Sequence, residues 1–336
     1  MLVTFALVAY NQERFIAEAI HGALSQTYQP LEIILSDDCS TDHTFEIINQ
    51  EIAGYSGPHE IRLNRNERNI GFSAHINRVT AMARGQLRVA AAGDDISLPL
   101  RVERLHEAYE RSDRKALSVF SNATVINEHG LKEGPYLRSL SQKHQNLSWL
   151  AEHLSGALGC AQAWDRRVFE LFGPMDEDIL QEDIVIPFRA ALLGEVQFVS
   201  EPLVLYRRHS TNIHFKSAHE VIGGASLRSS LLKHADGKIA IFTNRLKDLE
   251  TFLRLHPEQQ DEVEKLRTIT VRRHREMRDE KALLIQRGLF KRTTIIIRAI
   301  LNGTPPRRIA RWFWTSFFPV SHLKWLTHSQ PKPVVK

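Results

Sequence analysis

Two pairs of adjacent aspartates, Asp37-Asp38 and Asp94-Asp95, are the residues whose type and spacing most directly suggest chemistry. Neighbouring carboxylates repel, so such a pair calls for a cation or hydrogen-bond donors beside it. Oxygen ligands suit Mg2+ or Mn2+, and those ions in turn suit a diphosphate. An aspartate can equally be a turn residue or a helix cap, which is the reading for Asp42. A lone Asp-Asp pair would be read that way too. Two pairs, each following an apolar run, argue for a site.

The pairs need elements to place them. Residues 2–8 are a short apolar run and predict a strand. Residues 12–25 carry Phe15, Ile16, Ala19, Ile20, Ala23 and Leu24, spaced for one helix face. Pro30 breaks the chain, and 31–35 predicts the strand that Asp37-Asp38 follow. Asp42 and Thr44 open a second helix. A strand at 60–63, a helix at 72–84 and a strand at 87–92 lead to Asp94-Asp95. This β-α-β-α order implies a mainly parallel sheet with helices on both faces. In such a sheet ligands bind beyond the carboxyl ends of the strands.

Beyond that point the pattern predicts a helix at 98–112 with Pro99 in its first turn, and β structure at 116–127. A strand follows at 156–164, then helices at 166–172 and 183–193. Two closing strands are expected at 196–199 and 203–206. From about residue 217 the character changes. Segments 226–234, 237–255 and 257–286 are charged and heptad-like, predicting helical hairpins.

With 336 residues, 25% charged and 43% hydrophobic, the composition excludes a collagen-like, wholly disordered or disulfide-stapled chain. Cys39 and Cys160 are too few for a disulfide framework or a Cys-rich zinc site, and read as small buried residues. Two cysteines fit a reducing cytoplasm. Residues 1–10 are apolar enough for a secretion signal. They lack a basic start, since the first charge is Glu13, and read as a buried strand. No run reaches the roughly 18 apolar residues that span a bilayer. The net charge of +5 is uneven: residues 281–336 hold 11 Lys or Arg and no Asp or Glu, which leaves the first 280 at −6.

The ordered series of motifs resembles a known family. Val8-Ala9-Tyr10-Asn11-Gln12-Glu13, Ser25-Gln26-Thr27-Tyr28 and the run from Glu32 through Asp37-Asp38 to Thr44 closely resemble the family 2 glycosyltransferases. The match continues through Asn69-Ile70-Gly71-Phe72 to Asn77, and through Gly93-Asp94-Asp95-Ile96-Ser97-Leu98-Pro99. It ends with Gln181-Glu182-Asp183, Gly194 and Glu201-Pro202 to Arg207-Arg208-His209. It covers roughly residues 1–215. Family members are inverting, nucleotide-sugar-dependent enzymes of the GT-A fold, an α/β, Rossmann-like architecture.

The resemblance implies roles by position. Asp38 would accept a hydrogen bond from the nucleotide base, with Asp37 beside it. Tyr10 and Asn11 would line the base and ribose pocket, with Asn69 and Asn77 near the nucleotide. Asp94-Asp95 stand at the family's Asp-x-Asp motif, Asp95 being preferred as metal or ribose ligand. Asp183 stands at the catalytic base, and His209 at a histidine that approaches the metal or diphosphate. Mn2+ or Mg2+ is the implied cofactor. The chain departs from the family at Ala92, where many members carry another Asp, and at Val8, where many carry Pro or Thr.

The chemistry fits these groups. A cation eases departure of a diphosphate. A carboxylate that takes the acceptor's proton contributes about 10²–10⁴-fold in rate. One base opposite the leaving group implies single displacement with inversion, without a covalent carboxylate nucleophile. Arg207, Arg208 and His209 are further candidates to meet phosphate oxygens. Gly156 and Gly159 would let backbone approach the donor sugar or acceptor. Trp164 is a candidate acceptor platform, or core.

Residues 287–328 interleave Arg and Lys with Phe290, Trp312, Trp314, Phe317, Phe318 and Trp325. That composition suits an interfacial helix on an anionic leaflet. A helical cap packed on the catalytic domain is the rival reading, and nucleic acid is not an expected partner. The expected organisation is a GT-A catalytic domain at 1–215 and a helical, membrane-associating region at 216–336. The expected activity moves a sugar from a UDP- or dTDP-linked donor to a saccharide or lipid-linked saccharide acceptor. The expected setting is the cytoplasmic membrane face, in assembly of O-antigen, capsule or exopolysaccharide. A sugar-nucleotide nucleotidyltransferase would need a Gly-rich basic loop after the first strand, and residues 9–14 hold no glycine. A non-catalytic sugar-nucleotide-binding scaffold is allowed by Ala92 and opposed by Asp95 and Asp183.

Overall fold

The early apolar runs form three parallel strands, β1 (Val3–Ala9), β2 (Leu31–Asp37) and β4 (Leu87–Ala92). They are buried along nearly their whole length, as strands covered on both faces must be. A computed structural model describes residues 1–136, 146–154, 156–210, 212, 224–286 and 288–317. On one face Phe5 and Leu7 of β1 meet Ile16, Ala19, Ile20 and Ala23 of α1 (Ile16–Leu24), with Val102 and Leu105 of α4 (Arg101–Arg111). On the other face Ala6 and Ile34 meet Val79 of α3 (Phe72–Met82). This alternation is the period-two signature of a strand. Helix α2 (Thr44–Ile52) adds Ile48 to the first face.

Strand β3 (Glu60–Arg65) pairs in parallel with β2. Among the described residues the sheet has nine strands. The remaining five are β5 (Ile96–Ser97), β6 (Ala116–Asn127), β7 (Lys132–Pro135), β8 (Gln162–Asp165) and β9 (Glu195–Arg208). Their order is β3-β2-β1-β4-β8-β6-β9-β5, with β7 against β6. Strand β8 runs antiparallel to β4 and β6, whereas β6 and β9 are parallel. The register sets Ala9 opposite Asp37 and Val8 opposite Ala92. The loops that carry Tyr10-Asn11, Asp37-Asp38 and Asp94-Asp95 therefore leave the sheet side by side.

Several expected boundaries move. The strand expected at 156–164 is a 3-10 turn, Gly159–Ala161, followed by β8. The two closing strands are one, β9, because register shifts around Ser121, Asn122 and Ala123 absorb the Glu201-Pro202 interruption. Pro202 pairs with Asn122 at that irregularity, where a missing N–H is tolerated. Pro99 precedes α4 rather than lying in its first turn.

Three further helices, α5 (Leu147–Glu152), α6 (Arg167–Phe172) and α7 (Glu182–Leu193), lead into the helical region. There α8 (Gly224–Leu255) is one continuous helix where two segments, 226–234 and 237–255, are expected. A 3-10 turn at Pro257–Gln259 joins it to α9 (Gln260–Ile285), making a hairpin. Leu249 and Phe252 of α8 and Val263 and Leu266 of α9 share a core with Leu150, Phe188 and Leu192. Helices α10 (Leu289–Leu301) and α11 (Pro306–Phe317) follow. Among the described residues no helix is long and apolar enough to cross a membrane.

Candidate functional site

The loop after β1 is tied to the loop after β2 by its polar side chains. Asn11 takes φ +54°, a left-handed conformation that asparagine tolerates. Its backbone N–H donates to Ser40 Oγ at 2.9 Å, and its side-chain oxygen accepts from Thr41 N–H at 2.9 Å. Gln12 N–H donates to Thr44 Oγ1 at 2.7 Å. Asp42 accepts from Thr44 N–H at 3.0 Å, holding the entry to α2 as expected of a turn or cap residue. Tyr10, 44% exposed, projects from this tied loop.

Asp37 and Asp38 are both buried. Asp37 accepts from the Ser40 N–H at 3.0 Å and from the Ser40 hydroxyl, with Arg65 Nε 3.4 Å away. Asp38 accepts from Asn66 Nδ2 at 2.7 Å, Ile70 N–H at 3.0 Å and Gly71 N–H at 3.1 Å. Gly71 has φ +86°, so glycine is what lets the chain aim that N–H at Asp38 just before α3. Asp38 is thus the hub of the β3–α3 loop. Three donors leave a carboxylate, with its roughly four lone-pair positions, one acceptor position. Asn69 is exposed and accepts from Gly71 N–H at 3.1 Å. Asn77 instead brackets Met175, donating to its carbonyl at 2.8 Å and accepting from its N–H at 2.9 Å. It steadies the segment that leads to Asp183.

The second aspartate pair splits. Asp94 meets His209 Nε2 at 3.0 Å and Asn212 Nδ2 at 3.2 Å. Asp95, the expected partner of a metal with His209, turns inward. Its carboxylate accepts from Arg207 N–H at 2.8 Å and from the Cys160 thiol. Burial, then the charge of Asp94, push Asp95 up to about 8. Burial and the Asp95 charge likewise raise the Cys160 thiol well above its usual range. The His209 ring rests on Phe15, with ring centroids 4.7 Å apart. Arg207 is not available to a phosphate. It is 1% exposed, with Nε on the Asp94 carbonyl at 3.0 Å, Nη2 3.0 Å from Glu18, and its guanidinium over Phe15. Arg208 beside it is exposed.

Asp183 lies in the first turn of α7, next to Glu182, and both are buried. Burial, then the neighbouring Asp183, push Glu182 up to about 8. Pro187 lies four residues on and has no N–H to complete the helix bond to the Asp183 carbonyl. Ala157 N–H takes that place at 3.1 Å. The glycines beside Ala157 fit this arrangement. A Cβ on Gly156 would stand 1.6 Å from the Asp183 carbonyl oxygen, and one on Gly159 2.2 Å from Glu182 Oε1. Their role is thus to seat the start of α7, by space rather than by φ. The same segment supplies Cys160 to Asp95, so residues 156–161 touch both acidic centres.

Trp164 is 2% exposed and belongs to the core, not to an acceptor surface. Cys39 is half-buried, at φ +60° in the turn after Asp38. Pro187, Asn212 and the inward course of Arg207 were not anticipated; a proline four residues after an aspartate was the one readable signal. Among the described residues no three His, Cys, Asp or Glu side chains cluster as a ready metal cage. Asp94 and His209 supply two ligands of suitable kinds, oxygen and imidazole nitrogen.

A family model described as glycosyl transferase family 2 matches residues 4–172. An uncharacterized protein of Mycobacterium tuberculosis is 29% identical over 213 residues, 61% of this chain and 58% of its own length. The putative glycosyltransferase EpsE of Bacillus subtilis is 35% identical over 140 residues, 42% of this chain and 49% of its own. The chain thus spans about half the length of these curated relatives. Among solved structures, S. aureus TarS 1-349 in complex with UDP-GlcNAc aligns with TM-score 0.53 at 14% identity, covering 90% of this chain and 89% of that one. The mannosyltransferase PcManGT from Pyrobaculum calidifontis, in complex with GDP-Man and Mn2+, aligns with TM-score 0.52 at 14% identity, covering 97% and 88%. At such identities the likeness concerns the fold, which is GT-A. Asp183 and His209 lie beyond the residues the family model matches.

Proposed function

The chain belongs to glycosyl transferase family 2, and from that premise we propose that it transfers a sugar from a nucleotide-sugar donor to an acceptor hydroxyl, with inversion at the anomeric carbon. The observation that carries the reading is the alignment of three strand ends, β1, β2 and β4, which sets the Tyr10, Asp38 and Asp94 loops side by side. In this reading Tyr10 and Asn11 border the base and ribose. Asp38 offers its remaining lone pair to the base while it holds the loop at Asn69–Gly71. The proposed donor is UDP- or dTDP-linked; structures of the same fold hold UDP-GlcNAc and GDP-Man.

The leaving diphosphate would face Asp94 and His209. Those two residues would hold Mn2+ or Mg2+, one through a carboxylate oxygen and one through an imidazole nitrogen. Bound there, the cation offsets charge on the leaving group. Asp95 acts from behind, fixing the Arg207 backbone and so the approach of His209. Asp183 accepts the acceptor's proton, seated by the Ala157 hydrogen bond and the two glycines. The acceptor is a saccharide or lipid-linked saccharide, at the cytoplasmic face of a membrane, in assembly of a cell-surface polysaccharide.

The test measures nucleoside diphosphate release across a set of nucleotide sugars and saccharide acceptors, with and without Mn2+. Asp183→Asn should bind donor normally and lose about 10²–10⁴-fold in turnover. Near-normal turnover in that variant removes Asp183 as the base. Release of pyrophosphate from a sugar phosphate and a nucleoside triphosphate would mark a nucleotidyltransferase. Donor binding with no release under any acceptor would mark a scaffold.

A further inference from the structure

Helix α10 has two apolar faces, and the described residues cover only one. Ile295, Ile296 and Ala299 are buried against Leu283 of α9 and Trp312 of α11. The opposite side carries Phe290 at 85% exposure, Ile297 at 52% and Leu301 at 81%, flanked by Leu289 at 64% and Ile300 at 54%. Residues 290, 294, 297 and 301 stand one above another along a helix, so these side chains form a stripe. Isolated exposed apolar residues are ordinary; a contiguous stripe of large ones marks a contact surface.

The polar groups within the stripe are already satisfied. Thr293 and Thr294 donate their hydroxyls to the carbonyls of Leu289 and Phe290, each at 3.0 Å. Such back-bonding leaves methyl groups outward and no hydroxyl that needs water. The charge of the segment itself has one sign. Residues 281–336 contain no Asp or Glu, and Lys291 is exposed beside the stripe. Arg298 and Arg308 reach back to acids of other elements, Asp279 for the first and Glu152 and Glu276 for the second.

We propose that α10 lies in the surface of an anionic lipid leaflet, with Phe290, Thr294, Ile297 and Leu301 directed between the lipids. The proposal rests on the reading of the C-terminal region as membrane-associating, and names the surface that does it. Charge decides between occupants. A second copy of the chain would bring two wholly basic segments together, whereas an anionic leaflet complements them. Length decides the orientation. Thirteen residues of helix reach about 20 Å, short of the roughly 30 Å of a hydrocarbon core, so the helix lies in the plane. Trp312 takes no part, being 4% exposed and packed beneath α10. The covered face of α10 packs on α9 and α11 of the same region, rather than on residues 1–215 as the cap reading expects. The side chains of Trp314 and Phe317, and all of Phe318 and Trp325, lie outside the described residues.

The test is flotation of the full chain with phosphatidylglycerol-containing vesicles and with pure phosphatidylcholine vesicles. The comparison is a Phe290→Asp/Ile297→Asp variant. Both substitutions are on the solvent side, so circular dichroism and turnover with a soluble acceptor should be unchanged. The wild-type chain should float with the anionic vesicles only, more weakly in high salt, and the variant should lose at least about tenfold in partitioning. Equal flotation of the two proteins overturns the α10 surface while leaving membrane association in place. No flotation of the wild-type chain overturns both. A wild-type dimer that the variant converts to monomer, without vesicle binding, assigns the stripe to a second copy instead.

Discussion

Glu32, at the end of β2 away from the proposed site, has no exposed side-chain surface, yet four hydrogen bonds keep it charged. Thr4 donates at 2.5 Å, Arg62 at 2.9 Å, Arg84 N–H at 3.0 Å and Arg84 Nε at 2.7 Å. Burial alone would raise its pKa, but these bonds outweigh it and hold the group at about 2, against an ordinary 4.5. A depressed carboxylate contributes stability above its ordinary value and loses it as pH falls through the folded one. Glu32→Gln should therefore cost on the order of 3 kcal/mol near neutral pH. The gap to the wild-type chain should close between pH 4.5 and about 2, as read by urea unfolding at stepped pH. A gap independent of pH would contradict this. Individual residues were legible where type alone carries meaning. The strand-end aspartates stood out because two adjacent pairs each follow an apolar run. The partners of Asp38 did not, since Asn66, Ile70 and Gly71 reach it only through a loop closure about 30 residues long. Nor could sequence say which of Asp94 and Asp95 faces outward, because β9 decides it by presenting the Arg207 N–H to Asp95.

Among elements, the contact between residues 156–161 and the start of α7 has the least slack. Gly156→Ala would drive a methyl into the Asp183 carbonyl, so one of the two segments must shift. The expected stability cost is about 1–3 kcal/mol, as for other overpacked sites. Turnover should fall further than stability predicts, because Asp183 moves with its backbone. Gly54→Ala is the control, since nothing lies within 4 Å of that position. Equal turnover in the two variants, measured well below their melting temperatures, would separate the glycine from Asp183. Periodicity made most elements of the first 130 residues readable to within a few positions. It failed at β9, where Glu201-Pro202 looks like a turn but sits at a sheet irregularity. It failed again at Gly237, whose helix-breaking tendency is overridden within α8, where it packs beside Leu180.

At the scale of the whole molecule, the helical region is bound to the sheet region through buried arginines. Arg189 of α7 and Asp248 of α8 form a two-pronged pair at 2.9 and 3.0 Å, with side-chain exposures of 0% and 2%. Arg245 donates to the carbonyls of Ala151 and His153 and lies between Phe188 and Phe242. Removing one member of a buried pair strands the other, at about 3–5 kcal/mol. Asp248→Ala should thus lower the unfolding midpoint of the entire chain in one transition. Replacing both, Arg189→Met with Asp248→Leu, should restore part of the loss. Two separated transitions in the wild-type chain would show that the regions unfold apart. The boundary expected near residue 215 rests on a change in sequence character. The buried pairing across it was invisible, because Arg and Asp in heptad-like helices read as solvated charges.

Helix α7 is thus fastened on both sides, by Gly156 and Ala157 at its first turn and by Asp248 at its middle. This has a consequence for recombining the chain with its relatives. A crossover between residues 157 and 181 parts Asp183 from the glycine that seats it. One between 193 and 223 gives Arg189 a foreign hairpin with no assured carboxylate. A chimera that keeps both fastenings must therefore exchange Gly156 through Asp248 as one block, and that block carries Arg207 and His209, which have to meet Asp95 and Asp94 of the host.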